Sequence, residues 1–449
     1  MNSVDIKNLS VKELVEKGPF QCECGKTHSV GTKRVIIESG AIIKLPDILK
    51  EVGSKHPFIL SGHDTFEAAG DVVEDVLNDA DISFSKYVFP ASPVIPNEES
   101  VGSSIMHFDN TCDCVVSVGS GVINDIGKIL ANVSGNTYIV CGTAPSMDGF
   151  ASATSSMDID GLKVSLPSTH AYAVIGDLDI LCAAPAKMLQ AGVGDLIAKY
   201  VSLVEWEISH IVADEYYCPV IAHMVRCALN KVVDAAPALL RREPDAVAAV
   251  MEGQVIAGMA MKYAGISSPA SGVEHYFSHV WDMRSLAFED AKADLHGIQC
   301  GIGTLYALKI YDMLKGISVD VEHAKQKAAE FDFNKHSELI RTFIGKGSVA
   351  MIEGEGKEHK YDLNKHDAHI KRIAKEWDKI MALIKGVPSY AEVKKLMESI
   401  GAPTDASCIG YTPQQVKTTF ILTKDIRDKY VLSRLVFDLG LEREAMEVL

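Results

Sequence analysis

Five short runs of aliphatic and β-branched residues recur between Arg34 and about Leu181, and a stretch with helical spacing separates each run from the next. In chain order, they are RVIIE, PFIL, VVSVG, TYIVCGT and YAVIGDLDIL. Strands that alternate with helices form a parallel sheet, because each crossover helix returns the chain to the same edge. This rhythm predicts an α/β domain with a parallel sheet over residues 1–184.

The remainder of the chain has a different pattern. After about Ala184 the strand signals stop, and long segments rich in Ala, Gly and Met carry helical spacing, which predicts an all-α domain over residues 185–449. Two domains also suit a chain of 449 residues, which exceeds the usual size of one core. Residues 346–372 are rich in glycine and charged residues. They are interpreted as a solvated segment between packed helices, with surface histidines at 359, 366 and 369.

Charge and composition narrow the class of protein. The net charge is -16 and the basic residues are dispersed, so nucleic-acid binding lacks the basic stripe that it requires. No apolar stretch is long enough for a membrane span, and the first 18 residues lack the apolar core of a secretory signal. Ten scattered cysteines suit a reducing compartment. We therefore expect a cytoplasmic enzyme that acts on a small molecule.

A glycine turn follows the third strand run. In CVVSVGSGVINDIGK, Gly119, Ser120 and Gly121 stand between a buried strand and a helix. Such a turn lets backbone N–H groups at a helix N-terminus approach a pyrophosphate. The pattern departs from G-x-G-x-x-G because Asn124 occupies the third glycine position, and a plain strand-to-helix turn explains it equally well.

A second loop, TAPSMDGFASATSS, follows the fourth run and is dense in small hydroxyl residues. Its hydroxyls and backbone amides suit phosphate and ribose, although a polar loop that caps neighbouring helices is the alternative. Two such loops after two strands of one sheet favour a ligand, because ligands gather beyond the carboxyl ends of parallel strands.

A carboxylate on an apolar helical face marks the second half of the chain. Asp195, in QAGVGDLIAKY, lies among aliphatic residues and therefore requires a partner. An ion pair with Lys199, four residues later, is the simpler interpretation of this segment alone.

Two histidine segments follow. In SPASGVEHYFSHVWD, Ser271 and Glu274 have capping-box spacing, which places His275 in the first helical turn with His279 on the same face. In KADLHGIQCGIGTL, His296 precedes a run of three glycines that allows close packing. One Asp with two or three His is a mixed O/N set that suits Zn²⁺, Ni²⁺ or Fe²⁺. The residues alone leave the choice between the first two histidines open.

In this order, the motifs resemble the superfamily of glycerol dehydrogenases, iron-containing alcohol dehydrogenases and dehydroquinate synthases, over most of the chain. GSGVINDIGK is similar to its pyrophosphate loop, TAPSMDGFAS to its nicotinamide and substrate loop, and GVGDLIAKY, SGVEHYFSHVWD and HGIQCGIGT to its three metal segments. KDIRDKYVLSRLVFDLGL is similar to the closing helix of bacterial members. The resemblance implies a Rossmann-like parallel sheet followed by an all-α domain, the dehydroquinate synthase-like fold.

The resemblance also implies a role for particular residues. The metal ligands are Asp195, His275 and His296, because the family uses the first His of its H-x-x-x-H pair, and with Asp148 they form the catalytic set. Substrate contacts fall on Asp148, Lys199 and His279. Contacts to NAD(H) or NADP(H) fall on Asp64, Gly119, Ser120, Gly121, Asn124, Asp125, Thr143, Ser146 and Ser152. The sequence around Asp64, LSGHDTFEAAG, departs from the family's usual acidic pattern and leaves the choice of NADH or NADPH open.

The sequences of the motifs are most similar to those of members that act on glycerol 1-phosphate. This resemblance implies metal-dependent reduction of dihydroxyacetone phosphate to sn-glycerol 1-phosphate. It also implies a homo-oligomer, a dimer or larger. Alternatives are a glycerol dehydrogenase that acts on the unphosphorylated polyol, a phosphate lyase of the dehydroquinate-synthase type, and a non-catalytic nucleotide-binding protein. Arg427 and Lys429 are more distant candidates for phosphate contact. Cys22, Cys24 and His28 offer three ligands at crowded spacing and are interpreted as a structural hairpin.

Overall fold

The computed structural model describes residues 9–160 and 162–449, so part of the stretch assessed as lacking a secretory signal lies outside the described residues. The chain divides into two compact units. Unit 1 holds residues up to 159, 163–196 and 219–266, and unit 2 holds 160–162, 197–218 and 267–449.

Unit 1 contains every strand of the described chain, apart from Leu162 at the start of the ninth. The strands are β1 (Phe20–Gln21), β2 (Thr27–His28), β3 (Arg34–Glu38), β4 (Pro57–Gly62), β5 (Ser85–Phe89), β6 (Cys114–Gly119), β7 (Thr137–Gly142), β8 (Thr154–Ile159), β9 (Leu162–Pro167) and β10 (Ala173–Asp177). Its helices are α1 (Val11–Lys17), α2 (Leu45–Glu51), α3 (His63–Asp79), α4 (Glu98–His107), α5 (Gly121–Ser134), α6 (Leu178–Leu181), α7 (Ala186–Ile197, whose last residue opens unit 2), α9 (Pro219–Leu239) and α10 (Pro244–Ala264).

Six of these strands form one parallel sheet in the order β3-β10-β7-β6-β4-β5. All five predicted runs contribute a strand to it, although the last run, YAVIGDLDIL, is a strand only over Ala173–Asp177 and continues as helix α6 over Leu178–Leu181. The sixth strand, β5, was missed because SKYVF sits at the sheet edge and mixes polar with apolar residues. The predicted parallel sheet is therefore confirmed.

Helices cover both faces of the sheet. Val116 and Val118 of β6 share a buried core with Val73 of α3, whereas Ser117, which points to the other face, donates to the Ile123 carbonyl of α5 at 3.2 Å. The helices that follow β4 and β6 thus lie on opposite faces, which makes the adjacent ends of these two strands a topological switch point.

Unit 2 is helical. Its helices are α8 (Lys199–Ala213), α11 (Val273–Ala287), α12 (His296–Leu314), α13 (Val321–Ala329), α14 (Phe333–Ile344), α15 (Ser348–Glu358), α16 (Leu363–Lys385), α17 (Tyr390–Ser399), α18 (Pro413–Thr423), α19 (Leu432–Asp438) and α20 (Glu442–Val448). Short 3₁₀ turns occupy Ala41–Lys44 in unit 1 and Gly345–Gly347 and Ala406–Ile409 in unit 2. The predicted loss of strands after about Ala184 is confirmed.

The predicted solvated segment over residues 346–372 is wrong for most of its length, although His359 is exposed, as predicted. The segment forms α15 and the start of α16, and the side chain of His366 is buried with Nε2 at 3.1 Å from the Asp438 carbonyl oxygen. His369 places Nδ1 at 2.9 Å from a carboxylate oxygen of the same aspartate. The polar residues satisfy one another inside the unit, which a composition count does not detect.

The two compact units do not coincide with the predicted domains 1–184 and 185–449, because the first unit also includes most of α7, with α9 and α10. The predicted domains followed the change from strand signals to helix signals along the chain, and their boundary stays a prediction. Within residues 9–160 and 162–449, no helix is both long and apolar enough to span a membrane.

Candidate functional site

The turn after β6 combines a sheet edge with a helix N-terminus. Gly119 ends the strand, Ser120 occupies the N-cap position, and Gly121 opens α5, so the first N–H groups of the helix are available at the switch point. A Cβ on Gly119 would lie 2.6 Å from the Ile123 Cβ, so the tight turn requires glycine there. This local structure is the one that the sequence predicted for a pyrophosphate site.

Asn124 and Asp125 lie buried in the first turns of α5 and contact the protein itself. The Asn124 amide donates to the Gly149 carbonyl at 3.3 Å, and an Asp125 carboxylate oxygen accepts from the Ser156 N–H at 3.1 Å. They hold the following loop against the helix. Their predicted contact with a pyrophosphate stays a prediction.

Lys128, which the sequence analysis did not single out, is a fully buried cation on the same helix. Its Nζ lies 2.8 Å from an Asp125 carboxylate oxygen and donates to the Gly149 and Thr154 carbonyls at 3.1 and 2.5 Å. A buried ammonium requires such a set of acceptors. The signal for it was the i,i+3 spacing from Asp125 on a helix.

The hydroxyl loop lies beside the glycine turn. Thr143, Ser146 and Ser152 are all buried, and the Thr143 N–H donates to the Gly119 carbonyl at 3.2 Å. The Ser146 Oγ is 3.4 Å from the Ser120 Oγ. The two predicted loops are therefore brought together at one edge of the sheet.

Two further glycines position this loop. A Cβ on Gly192 of α7 would lie 2.0 Å from the Pro145 carbonyl oxygen, and one on Gly258 of α10 would lie 2.6 Å from the Asp148 carbonyl oxygen. Both helices approach the loop backbone at a distance that only glycine allows. These contacts are tertiary, and no local pattern announced them.

Asp195 is fully buried in α7, as its apolar neighbours predicted. One of its carboxylate oxygens accepts from the Asp148 backbone N–H at 2.9 Å. The contact places the predicted metal-binding carboxylate beside the predicted substrate residue. Asp64, in contrast, is exposed in the first turn of α3 and accepts from the Ser92 hydroxyl at 2.5 Å.

In unit 2, two predicted histidines and one cysteine meet. The ring centroids of His275 and His296 are 5.0 Å apart, and ligand atoms of these residues and Cys300 all lie within 4.8 Å of one another. The ring of His279 is 6.3 Å from that of His296. Of the two candidates on α11, His275 thus lies closer to His296.

Neighbouring polar groups orient both rings. The Nδ1 atom of His275 lies 2.9 Å from a Glu274 carboxylate oxygen, and that of His296 lies 3.1 Å from the Ser278 hydroxyl. The amide of Gln299 donates to the same hydroxyl at 3.0 Å. Because both Nδ1 atoms have protein partners, Nε2 is the nitrogen that each ring offers to a metal.

The N-terminus of α11 corrects the predicted cap. The N-cap residue is Gly272, not Ser271, and its N–H donates to the Glu274 carboxylate at 2.6 Å. The Ser271 carbonyl instead accepts from Lys429. His275 still falls in the first helical turn, as predicted.

A second acid lies under the same helix end. Glu205 is fully buried, and its carboxylate accepts from the Val273 and Leu432 N–H groups at 2.9 Å each. Burial raises the pKa of Glu205 well above its ordinary value, and the nearby Glu274 carboxylate raises it further. Glu205 therefore stays neutral more readily than a solvated carboxyl group does.

Two remaining candidates lie in the same unit. Lys199 is fully buried at the start of α8, and burial lowers the pKa of Lys429 below its ordinary value. Their predicted contacts with a substrate phosphate stay predictions.

Cys300 was not predicted as a site residue. It lies one turn after His296 on α12, with its Sγ at 3.5 Å from the His296 Nε2, and it is fully buried. Its i,i+4 spacing from a histidine was the available signal. The buried imidazole of His275, the half-buried imidazole of His296 and the buried sulfur of Cys300 form a donor set that fits a borderline-soft divalent metal such as zinc.

The chain resembles known proteins over most of its length. A family model described as iron-containing alcohol dehydrogenase matches residues 36–185. The glycerol-1-phosphate dehydrogenase (NAD(P)+) of Halalkalibacterium halodurans is 29% identical over 385 residues, which cover 85% of this chain and 86% of that protein. The enzyme of the same name from Bacillus licheniformis is 31% identical over 350 residues, or 76% and 87% of the two chains.

Solved structures agree on the fold. A probable glycerol dehydrogenase from Sinorhizobium meliloti 1021 superimposes with a TM-score of 0.58 at 14% identity, covering 94% of this chain and 99% of its own. An alcohol dehydrogenase from Oenococcus oeni superimposes with a TM-score of 0.59 at 15% identity, covering 93% and 97%. The predicted fold class is confirmed.

Proposed function

Because this chain belongs to the glycerol-1-phosphate dehydrogenases, of the iron-containing alcohol dehydrogenase class, we propose that it reduces dihydroxyacetone phosphate to sn-glycerol 1-phosphate with NADH or NADPH and a divalent metal. The observation that carries the proposal is the pair of imidazoles His275 and His296, whose ring centroids lie 5.0 Å apart and whose Nδ1 atoms lie 2.9 Å from Glu274 and 3.1 Å from the Ser278 hydroxyl, the arrangement usual around ligating imidazoles.

We propose Asp195, His275 and His296 as the metal ligands. Their chemistry fits the group: a buried carboxylate and two oriented imidazoles are the set of a catalytic site that keeps a position open for substrate. When bound, the metal supplies a Lewis acid that polarises the substrate carbonyl. Zn²⁺, Ni²⁺ and Fe²⁺ all suit this donor set.

The cofactor is proposed to bind at the switch point. The first N–H groups of α5 offer hydrogen bonds and a positive dipole end to the pyrophosphate, with Gly119, Ser120 and Gly121 allowing its close approach. When bound, the nicotinamide supplies the hydride. Thr143, Ser146 and Ser152 are proposed contacts from the adjacent loop, and Asp64 is the proposed contact to the ribose.

Asp148, Lys199 and His279 are proposed to contact the substrate. The Asp148 backbone N–H already orients the Asp195 carboxylate, so a substrate hydroxyl bound by the Asp148 side chain would be placed beside the proposed ligand. Lys199 would supply charge to the phosphate. An Arg427 or Lys429 contact with that phosphate is a weaker candidate.

The decisive experiment compares NADH and NADPH oxidation with dihydroxyacetone phosphate and with unphosphorylated dihydroxyacetone, with and without added Zn²⁺, Ni²⁺ or Fe²⁺. The proposal predicts faster turnover of the phosphorylated ketone, loss of activity after chelation, and recovery with at least one metal. Faster turnover of the unphosphorylated ketone would instead identify a glycerol dehydrogenase.

A lyase of the dehydroquinate-synthase type is distinguished by its products. It would release inorganic phosphate without net oxidation of NADH, whereas the proposed enzyme oxidises NADH in step with product formation. A non-catalytic nucleotide-binding protein would turn over neither ketone with any of the three metals.

The ligand assignment has its own test. We expect His296→Ala to lose the catalytic metal and turnover while the cofactor still binds, because the pyrophosphate turn lies in unit 1 and His296 in unit 2. His323→Ala, on α13 of the same unit, is the matched control and should retain both. Normal metal content in His296→Ala would show that another residue is the ligand.

Three broader expectations complete the proposal. A cytoplasmic location is supported by the ten cysteines, all of which remain thiols in the described residues. We propose a homo-oligomer, to be tested by light scattering, and a boundary at residue 184 between cofactor-binding and metal-binding parts, to be tested by expressing residues 1–184 and measuring NADH binding.

A further inference from the structure

A short hairpin near the beginning of the described chain carries three potential metal ligands. Strands β1 and β2 pair in antiparallel fashion, with Phe20 opposite His28, which confirms the predicted hairpin. Ligand atoms of Cys22, Cys24 and His28 all lie within 4.8 Å of one another. The hairpin thus places two cysteine sulfurs and one imidazole close to one another.

The turn holds this arrangement tightly. The Cys22 N–H donates to the Lys26 carbonyl at 3.0 Å, and the Gly25 N–H donates to the Cys22 carbonyl at 3.0 Å. Gly25 has a φ of +86°, which L side chains rarely adopt, so glycine permits the compact turn. A rigid loop of this kind presents its ligands in a fixed geometry.

The imidazole is buried and oriented. His28 Nδ1 lies 2.8 Å from the Tyr263 carbonyl oxygen, while Nε2 lies 3.3 Å from the Cys24 Sγ. The ring also packs edge-on against Phe20 and Tyr263. A histidine that donates from Nδ1 to a backbone carbonyl presents the Nε2 lone pair to a metal, which is the usual arrangement around ligating imidazoles.

The distances suit zinc. With bond lengths of about 2.3 Å to sulfur and about 2.0 Å to nitrogen, two ligands of one tetrahedral zinc ion lie about 3.5 Å apart. The 3.3 Å between Cys24 Sγ and His28 Nε2 is close to that value. A structural zinc site has four protein ligands, so a fourth residue is required.

The start of α9 points to Cys218, the residue bonded to Pro219, as this fourth ligand. Helices α9 and α10 each have 21 residues, pack along one another and are joined by a short turn, so the start of α9 lies level with the end of α10. Tyr263, which contacts His28, is at that end of α10. Cys218 immediately precedes Pro219, the first residue of α9, and its side chain is buried.

We propose that Cys22, Cys24, His28 and Cys218 bind a structural zinc ion, separate from the catalytic metal. The Cys₃His set is typical of closed structural sites with no position left for substrate. Each cysteine releases its proton to solvent as its sulfur binds the ion. The zinc fastens the N-terminal hairpin to the helix pair α9–α10, so its function is stability and not the proposed reduction.

Zinc analysis of the purified chain tests the proposal. In the His296→Ala background, which lacks the catalytic metal, we expect about one zinc ion per chain, with X-ray absorption showing sulfur neighbours at about 2.3 Å. A mercurial that modifies thiols should release this zinc. Zinc-free protein purified from zinc-supplemented medium, or zinc with only oxygen and nitrogen neighbours, would overturn the proposal.

Variants separate zinc binding from the loss of a thiol. Cys24→Ser and Cys218→Ser should each lose the structural zinc and make the hairpin of β1 and β2 sensitive to protease. Cys227→Ser is the matched control, because Cys227 Sγ also lies 3.3 Å from a histidine Nε2, that of His223, and among the described residues no third ligand joins them. Equal zinc content in Cys218→Ser and the control would exclude Cys218 as a ligand.

Discussion

The buried carboxylate of Glu274 orients the imidazole ring of His275, a proposed metal ligand. Glu274 accepts from the Gly272 N–H and contacts His275 Nδ1 through the same oxygen, while its other oxygen has no hydrogen-bond partner among the described residues. It is a positioning residue: the negative charge fixes the tautomer of His275 and increases the basicity of Nε2.

We expect Glu274→Gln to weaken metal binding by roughly 10- to 100-fold, because the amide keeps the shape but removes the charge beside His275. Competition with a calibrated chelator measures the change. Glu205→Gln is the control: Glu205 accepts from the backbone at the same helix end, and its raised pKa already favours the neutral form. A similar loss of affinity in both variants would contradict the assignment.

Gly192 tests how closely the hydroxyl loop is packed. In Gly192→Ala, the new Cβ would meet the Pro145 carbonyl oxygen at 2.0 Å and Val250 Cγ1 at 2.8 Å, so the loop must move. We expect a loss of stability of about 1–3 kcal/mol and a higher KM for NAD(P)H. Gly102→Ala, at an open position inside α4, should leave the KM unchanged and should not lower the stability, because Ala favours a helix over Gly. An unchanged KM in Gly192→Ala would separate the loop from cofactor binding.

Helix α5 acts as more than a phosphate-binding element, because its buried polar residues hold the next loop. Lys128 connects Asp125 of the same helix with the Gly149 and Thr154 carbonyls. The strand, the helix and the loop that form the proposed cofactor site are thus fixed by one internal network.

Removing the cation from this network should lower the free energy of unfolding. We expect Lys128→Met to destabilise the protein by about 3–5 kcal/mol, because it leaves the Asp125 carboxylate and two carbonyls buried without the cation. In the double variant with Asp125→Asn the loss should be smaller than the sum of the single losses. Denaturant unfolding of the four proteins measures the coupling, and strictly additive losses would contradict it.

At the level of the whole chain, unit 2 contains a second group of buried charges far along the sequence from the proposed ligands. His336 Nε2 lies 2.7 Å from the Asp425 carboxylate, and Lys360 Nζ lies 3.1 Å from that of Glu355. Burial raises the pKa of Glu355 to about 8, with the Asp425 charge adding to the effect and Lys360 opposing it.

This raised pKa predicts a loss of stability as the pH rises from about 4.5 to about 8. A carboxyl group whose pKa is higher in the folded state stabilises the fold fully below its unfolded value, near 4.5, and the stabilisation is lost as the pH rises through about 8. We expect the thermal midpoint of the wild type to fall by several degrees over this range and that of Glu355→Gln to fall less. Differential scanning fluorimetry at a series of pH values measures the midpoints. An equal fall in the midpoints of the wild type and Glu355→Gln would disprove the contribution of Glu355.

The sequence by itself determined the local elements and the class of chemistry. Strand and helix periodicity follow from neighbours a few residues apart, so the alternation from Arg34 to Leu181 and the helical remainder could be predicted. The resemblance then implied Asp195, His275 and His296 as ligands, and in the structure Asp195 is buried and the two histidines lie close together. The predicted cap at Ser271 failed by one residue because the carboxylates of Glu274 and Glu205, and not the Ser271 hydroxyl, accept from the first N–H groups at this helix end.

Only the tertiary structure revealed the contacts between residues distant in sequence. Lys128, Gly192 and Cys300 carry no local mark of their partners, since their surroundings come from other turns, helices and loops. The residues around His366 looked solvated because charge is normally exposed, and only packing shows that Asp438 satisfies them. The periodicity of apolar residues indicates which face of a helix or strand is buried. Which residues pack against that face depends on contacts between parts of the chain that are distant in sequence.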